Sequence, residues 1–444
     1  MATIGLSMIV KNGGEGLRSC FRSVCSLVDQ IVIADTGSTD DTVEIAREFG
    51  ALVVPCPWTD HYAEARNVAL APISTDWVLV LDADEELPAE ATRMIPTLRD
   101  CSEHIGGYTV TFRNYFKDRI TGMLGSLSRE NKDSNERAKG ALSHAEHSNC
   151  RLFRRHPQIY FTGRIHEGVE SQILAAGFEY RDSDINVLHF GYLAEESRFA
   201  AKQEYYYTIT KLAVEEAPNN PHLWLQMGMS EIRARRDVER ALECFEMALK
   251  LDLGCHDARV LIGVVHQGKR RYEPAIQSFS GLPDDGDLGI TKTRALGDLM
   301  LAAERFAEAH VMYGRALTLL LSDKANGLLA LKTEIESKLG YTEVLLGLAE
   351  AGLQRLRTAI EADPTIAANY DRFIKACVVA DDGACAADAA EEALKHHASE
   401  AAYVRAAALR LSLQQSRVAR QIAVTGLLHF PNSDMLQRVH ASSA

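Results

Sequence analysis

Hydrophobic and polar positions change period near the middle of the chain. Up to about residue 190, short β-rich apolar runs alternate with helical periods, the grammar of a mostly parallel α/β sheet. Ile4–Val10 predicts a first strand, with a helix across 17–27 after it. Gln30–Asp35 predicts the second strand and 41–49 its helix, opened by Asp41 with Glu44 three positions on, a capping box. Residues 52–54 form a short third strand and Tyr62–Leu70 a helix, whereas 77–81, apolar almost throughout, predicts a strand covered on both faces. Residues 108–115 alternate and are expected at a more exposed edge. The stretch 117–149, rich in Lys, Arg, Glu, Ser and Asn, predicts a long mobile loop, and strand-like runs resume at 150–154 and 185–189.

From about Phe199 the periodicity is helical to the end, with self-similarity at roughly 34 residues. Trp224, Gly228, Ala241, Phe245 and Ala248 form one set. Gly263, Ala275 and Phe279 form a second, and Gly297, Ala309, Tyr313 and Ala316 a third. Gly340, Ala359 and Pro364 suggest a fourth, and Tyr403, Ala407, Ala419, Gly426 and Pro431 a last. Small residues at such spacing let paired helices approach closely, and an aromatic fills the gap between pairs. The expected organisation is an α/β domain over 1–198, a helical linker over 199–220 and a repeat array over 221–444; an unrelated helical bundle is the alternative for the last part.

Composition narrows the functions. Among 444 residues, 48 Lys and Arg against 61 Asp and Glu give a net charge of −13, unsuited to general phosphate-backbone binding, so nucleic acid is not an expected partner. No apolar run reaches the roughly 18 residues of a membrane span. Lys11 follows the first apolar run instead of preceding it, the wrong order for a signal peptide. Nine cysteines without a CxxC pair argue against a disulfide framework or zinc ribbon. The expected compartment is the cytoplasm.

Ligands of open α/β sheets bind beyond the carboxyl ends of the strands. Asn12 follows the first strand, Asp35 ends the second, and Asp82-Ala83-Asp84-Glu85-Glu86 follows the fourth. Asp82 and Asp84, two apart, can converge at the strand tip, and hard oxygen ligands there suit Mg²⁺ or Mn²⁺ carrying diphosphate oxygens; the alternative is an acidic tip that caps the next helix. Arg66, on the helix before that strand, offers two parallel hydrogen bonds to a diphosphate or is a solvated helix arginine. His144, His147 and Cys150 sit at three-residue intervals but lack a fourth zinc ligand. Arg233, Arg235 and Arg236 read as a solvated face of the first repeat or as a grip on an acidic peptide.

The motifs Met8-Ile-Val-Lys-Asn12, Asp35-Thr-Gly-Ser-Thr-Asp40, Ala65-Arg-Asn67 and Trp77-Val-Leu-Val-Leu-Asp-Ala-Asp-Glu85 resemble family-two glycosyltransferases of GT-A fold. Arg151-Leu-Phe-Arg154, Gly163-Arg-Ile-His-Glu167 and His189-Phe-Gly-Tyr192 resemble the bacterial branch that carries C-terminal tetratricopeptide repeats, similar to peptide S-glycosyltransferases. In that branch Asn12 is usually followed by acidic residues; here Gly13 and Gly14 intervene before Glu15. The resemblance implies a nucleotide-sugar site on Val10, Asn12, Asp35, Gly37, Arg66, Asn67, Asp82 and Ala83. It also implies a divalent cation, Mn²⁺ or Mg²⁺, on Asp84, Asp82 and His189. Glu167 is the candidate general base, with His166 as an alternative base or an orienting partner; a hydrogen-bonded pair fastening a loop remains the other reading. The implied activity is inverting transfer from a nucleotide sugar, a UDP-sugar by preference, to a protein or peptide. Saccharide or lipid-linked acceptors, a homodimer built through the repeats, and an inactive binding scaffold are the competing possibilities.

Overall fold

The computed structural model describes residues 2–99, 103–118, 122–123, 126–193, 196–322 and 329–442. The chain forms two compact units, Met1–Val265 and His266–Ala444.

In the first unit, β1 (Ile4–Val10), β2 (Gln30–Asp35), β3 (Leu52–Pro55) and β4 (Trp77–Val80) run parallel in the order β3-β2-β1-β4. Between them lie α1 (Gly14–Val24), α2 (Thr42–Glu48) and α3 (Tyr62–Leu70). Every residue of β4 is buried, because Val78 and Val80 face one apolar layer and Trp77 and Leu79 another. Burying each such side chain fully contributes about 1.5–3 kcal/mol. Because the four strands are parallel, Asp35 ends its strand, and Asn12 and Asp82 follow theirs, at the same edge of the sheet. The expected capping box at α2 does not form: Asp41 makes no side-chain cap bond, and Thr42 donates to Asp40 instead.

The other half corrects two expectations. After β5 (Glu85–Glu86) and α4 (Ala89–Arg99), β6 (Ile105–Phe116) lies inside the sheet between β10 (Ser143–Arg154) and β11 (Glu179–His189), not at its edge. Its alternation records one face left half-buried, at Thr109, Thr111 and Arg113, while both backbone edges are paired. The sheet is mixed, since β10 runs antiparallel to both β4 and β6.

The stretch 117–149 is not one loop. It holds the short strands β7 (Gly122–Met123), β8 (Ser126–Leu127) and β9 (Arg129–Glu130), a 3-10 turn, and the first half of β10; 119–121 and 124–125 lie outside the described residues. Its polar side chains find partners across strands, Glu146 with Arg113 and His147 with Asn114, so their polarity concealed the pairing.

Beyond a short helix α5 (Glu170–Ala175), the stretch expected as a linker is helix α6 (Glu196–Glu216), followed by α7 (Pro221–Ser230), a π-helical turn and α8 (Val238–Leu251). Ile165 of the α/β domain shares an apolar cluster with Ile209, Ala213, Leu223, Met227 and Cys244 from these helices. Arg164 reaches Glu216 through Nε and Nη2 (3.0 and 2.5 Å). The first helices are thus packed onto the α/β domain. Helix α9 (His256–Gly268) runs across the division between the units.

The second unit continues as α10 (Tyr272–Ser280), α11 (Gly286–Ala302), α12 (Phe306–Ser322), α13 (Leu329–Leu345), α14 (Ala349–Ala362), α15 (Ala367–Val379), α16 (Gly383–Ala393), α17 (Glu400–Ser412), α18 (Ser416–His429) and α19 (Asp434–Ser442). Successive helices pair, α11 with α12, α13 with α14, α15 with α16 and α17 with α18. A Cβ on Gly297 would come within 2.6 Å of the Tyr313 ring, and one on Gly228 in the first unit within 2.4 Å of Phe245. The repeated small-against-aromatic contact is what the spacing predicted.

Candidate active site

At the first two strand ends the backbone is drawn into a tight rim. The Val10 carbonyl accepts from the Thr36 amide and hydroxyl (2.9 and 3.1 Å). Asn12, at φ +54°, accepts the Thr39 amide through Oδ1 (2.8 Å) and donates its own amide to Ser38 Oγ (2.9 Å). Asp35 accepts the Ser38 amide (3.0 Å). Gly37, at φ +100°, has open space where a side chain would stand. Val10, Asn12, Asp35 and Gly37 therefore share one rim, held by the 36–39 turn.

Arg66 occupies the centre. It is 3% exposed and meets Asp82 through Nη1 (2.7 Å) and Nη2 (3.1 Å), and Glu167 through Nε (2.9 Å). Burial opposes its charge, but the two carboxylates more than offset this and raise its pKa. For Asp82, burial is likewise overcome, by Arg66 and then Arg151, and its carboxyl is held well below the usual range. The guanidinium is turned to these carboxylates and not to open solvent. Asn67 is also committed elsewhere: its amide donates to the Phe161 carbonyl and accepts the Phe161 amide, both at 2.9 Å. That pins the segment leading to Glu167 against α3.

His166 and Glu167 point different ways. Glu167 turns to Arg66, whereas His166, at φ +55°, sets its ring edge-to-face on His222 at 5.1 Å.

On the far side of Asp82 stand Ala83, half-buried, and Asp84, whose side chain is 48% exposed. Asp84 Oδ2 lies 3.6 Å from His189 Nε2. A Cβ on Gly191 would fall 2.7 Å from that nitrogen and 2.8 Å from that oxygen, so only glycine keeps the space between them open. Burial disfavours the charged imidazole, but the carboxylates of Asp84, Glu85 and Asp82 raise the His189 pKa. Among the described residues no three His, Cys, Asp or Glu side chains converge on one point, and the Asp82 oxygens face Arg66. The expected trio is thus a pair, Asp84 and His189. One carboxylate and one imidazole beside open space fit a hard cation whose remaining ligands are water and substrate oxygens.

Four residues here were not expected as site residues. Glu85, 3% exposed, accepts the Asp82 amide (2.8 Å); burial and the Asp82 charge push its carboxyl up to about 7. Arg151 lies over Phe112 (5.1 Å), with Nη2 3.7 Å from Asp82 and 3.9 Å from Glu85. Asn114 and Gly191 flank His189. Three of the four sit inside the quoted motifs; Asn114 carried a different signal, an amide within an apolar strand. The three-residue series His144, His147 and Cys150 forms no metal group: His147 stacks on Phe112 (4.9 Å), His144 faces Tyr115, and Cys150 is buried.

The sequence model of glycosyl transferase family 2 matches residues 6–158. A TPR repeat-containing protein of Synechococcus elongatus is 37% identical over 175 residues, 39% of this chain and 37% of that one. The SPbeta prophage-derived glycosyltransferase SunS of Bacillus subtilis is 23% identical over 249 residues, 56% of this chain and 53% of that one. An uncharacterized glycosyltransferase of Rickettsia felis is 39% identical over 90 residues, 20% and 31% of the two chains. The chain thus spans between about a third and a half of the length of these relatives. Among solved structures, the pilus biogenesis factor PilW aligns over 49% of this chain and 97% of its own, at 17% identity and a TM-score of 0.41. The match to glycosyl transferase family 2 thus lies within the α/β part of this chain.

Proposed function

We propose that the chain is an inverting, metal-dependent glycosyltransferase that moves a sugar from a nucleotide sugar, a UDP-sugar by preference, to a protein or peptide. The single observation that carries this reading is the pair Asp84 and His189, facing across the space kept by Gly191, beside a buried Arg66 that joins Asp82 to Glu167.

Asn12 and Asp35, with Val10 and Gly37, line the rim suited to the nucleotide base and ribose, and the Asp82-Ala83-Asp84 turn underlies the diphosphate. A Mn²⁺ or Mg²⁺ bound by Asp84 and His189 would supply positive charge to the diphosphate as it departs. Arg151, whose Nη1 makes no hydrogen bond among the described residues, is the guanidinium best placed to add to it. In the displacement the acceptor heteroatom bonds to the anomeric carbon as the bond to the diphosphate oxygen breaks. Glu167 takes the acceptor's proton, held at its station by Arg66 and by the Asn67 pin. A macromolecular acceptor accords with the helical repeats that follow, since such arrays offer long surfaces for extended chains. Use of a nucleotide-sugar donor accords with a reaction in the cytoplasm; among the described residues no helix is long and apolar enough to cross a membrane.

The test is release of free nucleoside diphosphate from a panel of UDP- and GDP-sugars, with and without Mn²⁺, by the wild type and Asp84→Ala. Metal-dependent hydrolysis that falls at least about 100-fold in the variant supports the reading. Hydrolysis absent for every donor, or unchanged in the variant, overturns it and favours a binding scaffold.

A further inference from the structure

Asn114 is fully buried on β6, and every polar atom of its side chain has a partner. Its Nδ2 lies 3.0 Å from the Ala145 carbonyl. A carbonyl only accepts, so that end of the amide must be the NH₂. The other end is then the oxygen, and it faces His189 Nδ1 at 2.7 Å. An amide oxygen accepts and never donates, so Nδ1 must carry a proton. In a neutral imidazole the lone pair is then left on Nε2, the atom 3.6 Å from Asp84 Oδ2 and beside the space that a Cβ on Gly191 would fill. The second proton of Nδ2 is directed to His147 Nδ1 (2.8 Å), whose ring is stacked on Phe112, so the amide is held at both ends and resists being turned over.

We infer that Asn114 is a positioning residue for the cation: it fixes His189 in the Nδ1–H tautomer and presents Nε2 as a ligand alongside Asp84. This rests on the metal site proposed above. A buried asparagine that merely joins strands would satisfy Ala145 equally well, but it would place no constraint on the His189 tautomer.

Three variants separate these roles. Asn114→Leu removes the acceptor, Asn114→Asp keeps an acceptor facing His189, and His189→Ala removes the ligand. Mn²⁺ affinity is read by electron paramagnetic resonance, with Mn²⁺ alone and with Mn²⁺ plus UDP. The His189 tautomer is read by nitrogen-15 imidazole shifts in metal-free protein, at a pH high enough for the ring to be neutral, assigned by loss of the signal in His189→Ala. The wild type is expected to show the Nδ1–H form. Asn114→Leu should lose that preference and weaken Mn²⁺ by roughly 10–100-fold, the usual effect of removing such an outer partner, whereas Asn114→Asp should retain binding. A folded Asn114→Leu protein that binds Mn²⁺ like the wild type, or a wild-type His189 protonated on Nε2 alone, overturns the inference. Should Asn114→Leu fail to fold, the wild-type tautomer and the Asn114→Asp affinity still decide. If His189→Ala also leaves Mn²⁺ binding intact, the metal site itself is refuted, an outcome distinct from failure of Asn114 alone.

Discussion

Arg66 is a single buried cation serving two carboxylates. Without it, Glu167 would lose its ion-pair partner and Asp82 would keep the more distant Arg151, 3.7 Å away, and breaking a buried ion pair costs about 3–5 kcal/mol. Arg66→Met is therefore expected to lower unfolding stability by that amount in denaturant titration, before any question of activity arises. Glu85 behaves in the opposite sense. Its carboxyl is pushed up to about 7 in the folded chain by burial and by Asp82, whereas an unfolded glutamate titrates near 4.3. As pH rises between these values the unfolded chain gives up the proton first, so stability declines across that window and is level above it. The full loss is on the order of 3 kcal/mol. Glu85→Gln, which keeps an acceptor for the Asp82 amide, should be more stable than the wild type at pH 8 and lose most of that advantage at pH 5, in metal-free melts. Gly191→Ala probes steric room instead: with a methyl group between His189 and Asp84, hydrolysis of the donor should fall at least about tenfold while the melting temperature changes little.

The segment ahead of Glu167 shows how an element without regular structure is held in place. Asn67 on α3 makes two hydrogen bonds to Phe161, and Ile165 is buried among α6 and α7. Asn67→Ala should cost about 1–3 kcal/mol. Because Glu167, the proposed proton acceptor, rides on this segment, kcat should fall more than the donor KM rises. Much of the sheet was legible from sequence. The runs at Ile4–Val10 and Gln30–Asp35 are apolar, bounded by polar turns, and buried on both faces, so pattern and environment agree. Residues 143–149 defeated the same reasoning, because their pairing satisfies the backbone while Glu146 and His147 remain polar and partnered across the strands. The strand-end acids were legible because topology alone gathers them. The commitments of Arg66 and Asn67 were not, since a sequence does not tell which of several neighbours a guanidinium or an amide will face.

Across the whole chain, the first compact unit extends to Val265 and therefore includes α6, α7 and α8. A chain ended at residue 198 would expose the apolar cluster around Ile165 and lose the Arg164–Glu216 pair. It is expected to aggregate, whereas one ended after α9, near residue 270, should stay soluble, melt cooperatively and retain metal-dependent donor hydrolysis. Size-exclusion chromatography and calorimetry of the two truncations check this.

The docking of α6 also bears on how such chains can be recombined. A chimera spliced where the strands give way to helices would transplant the acid-bearing segment without its brace, and the graft would inherit a loosened Glu167. Exchanges that preserve chemistry must carry the first helical hairpin along with the sheet. The natural seam for shuffling therefore lies well inside the repeats, not at their visible beginning.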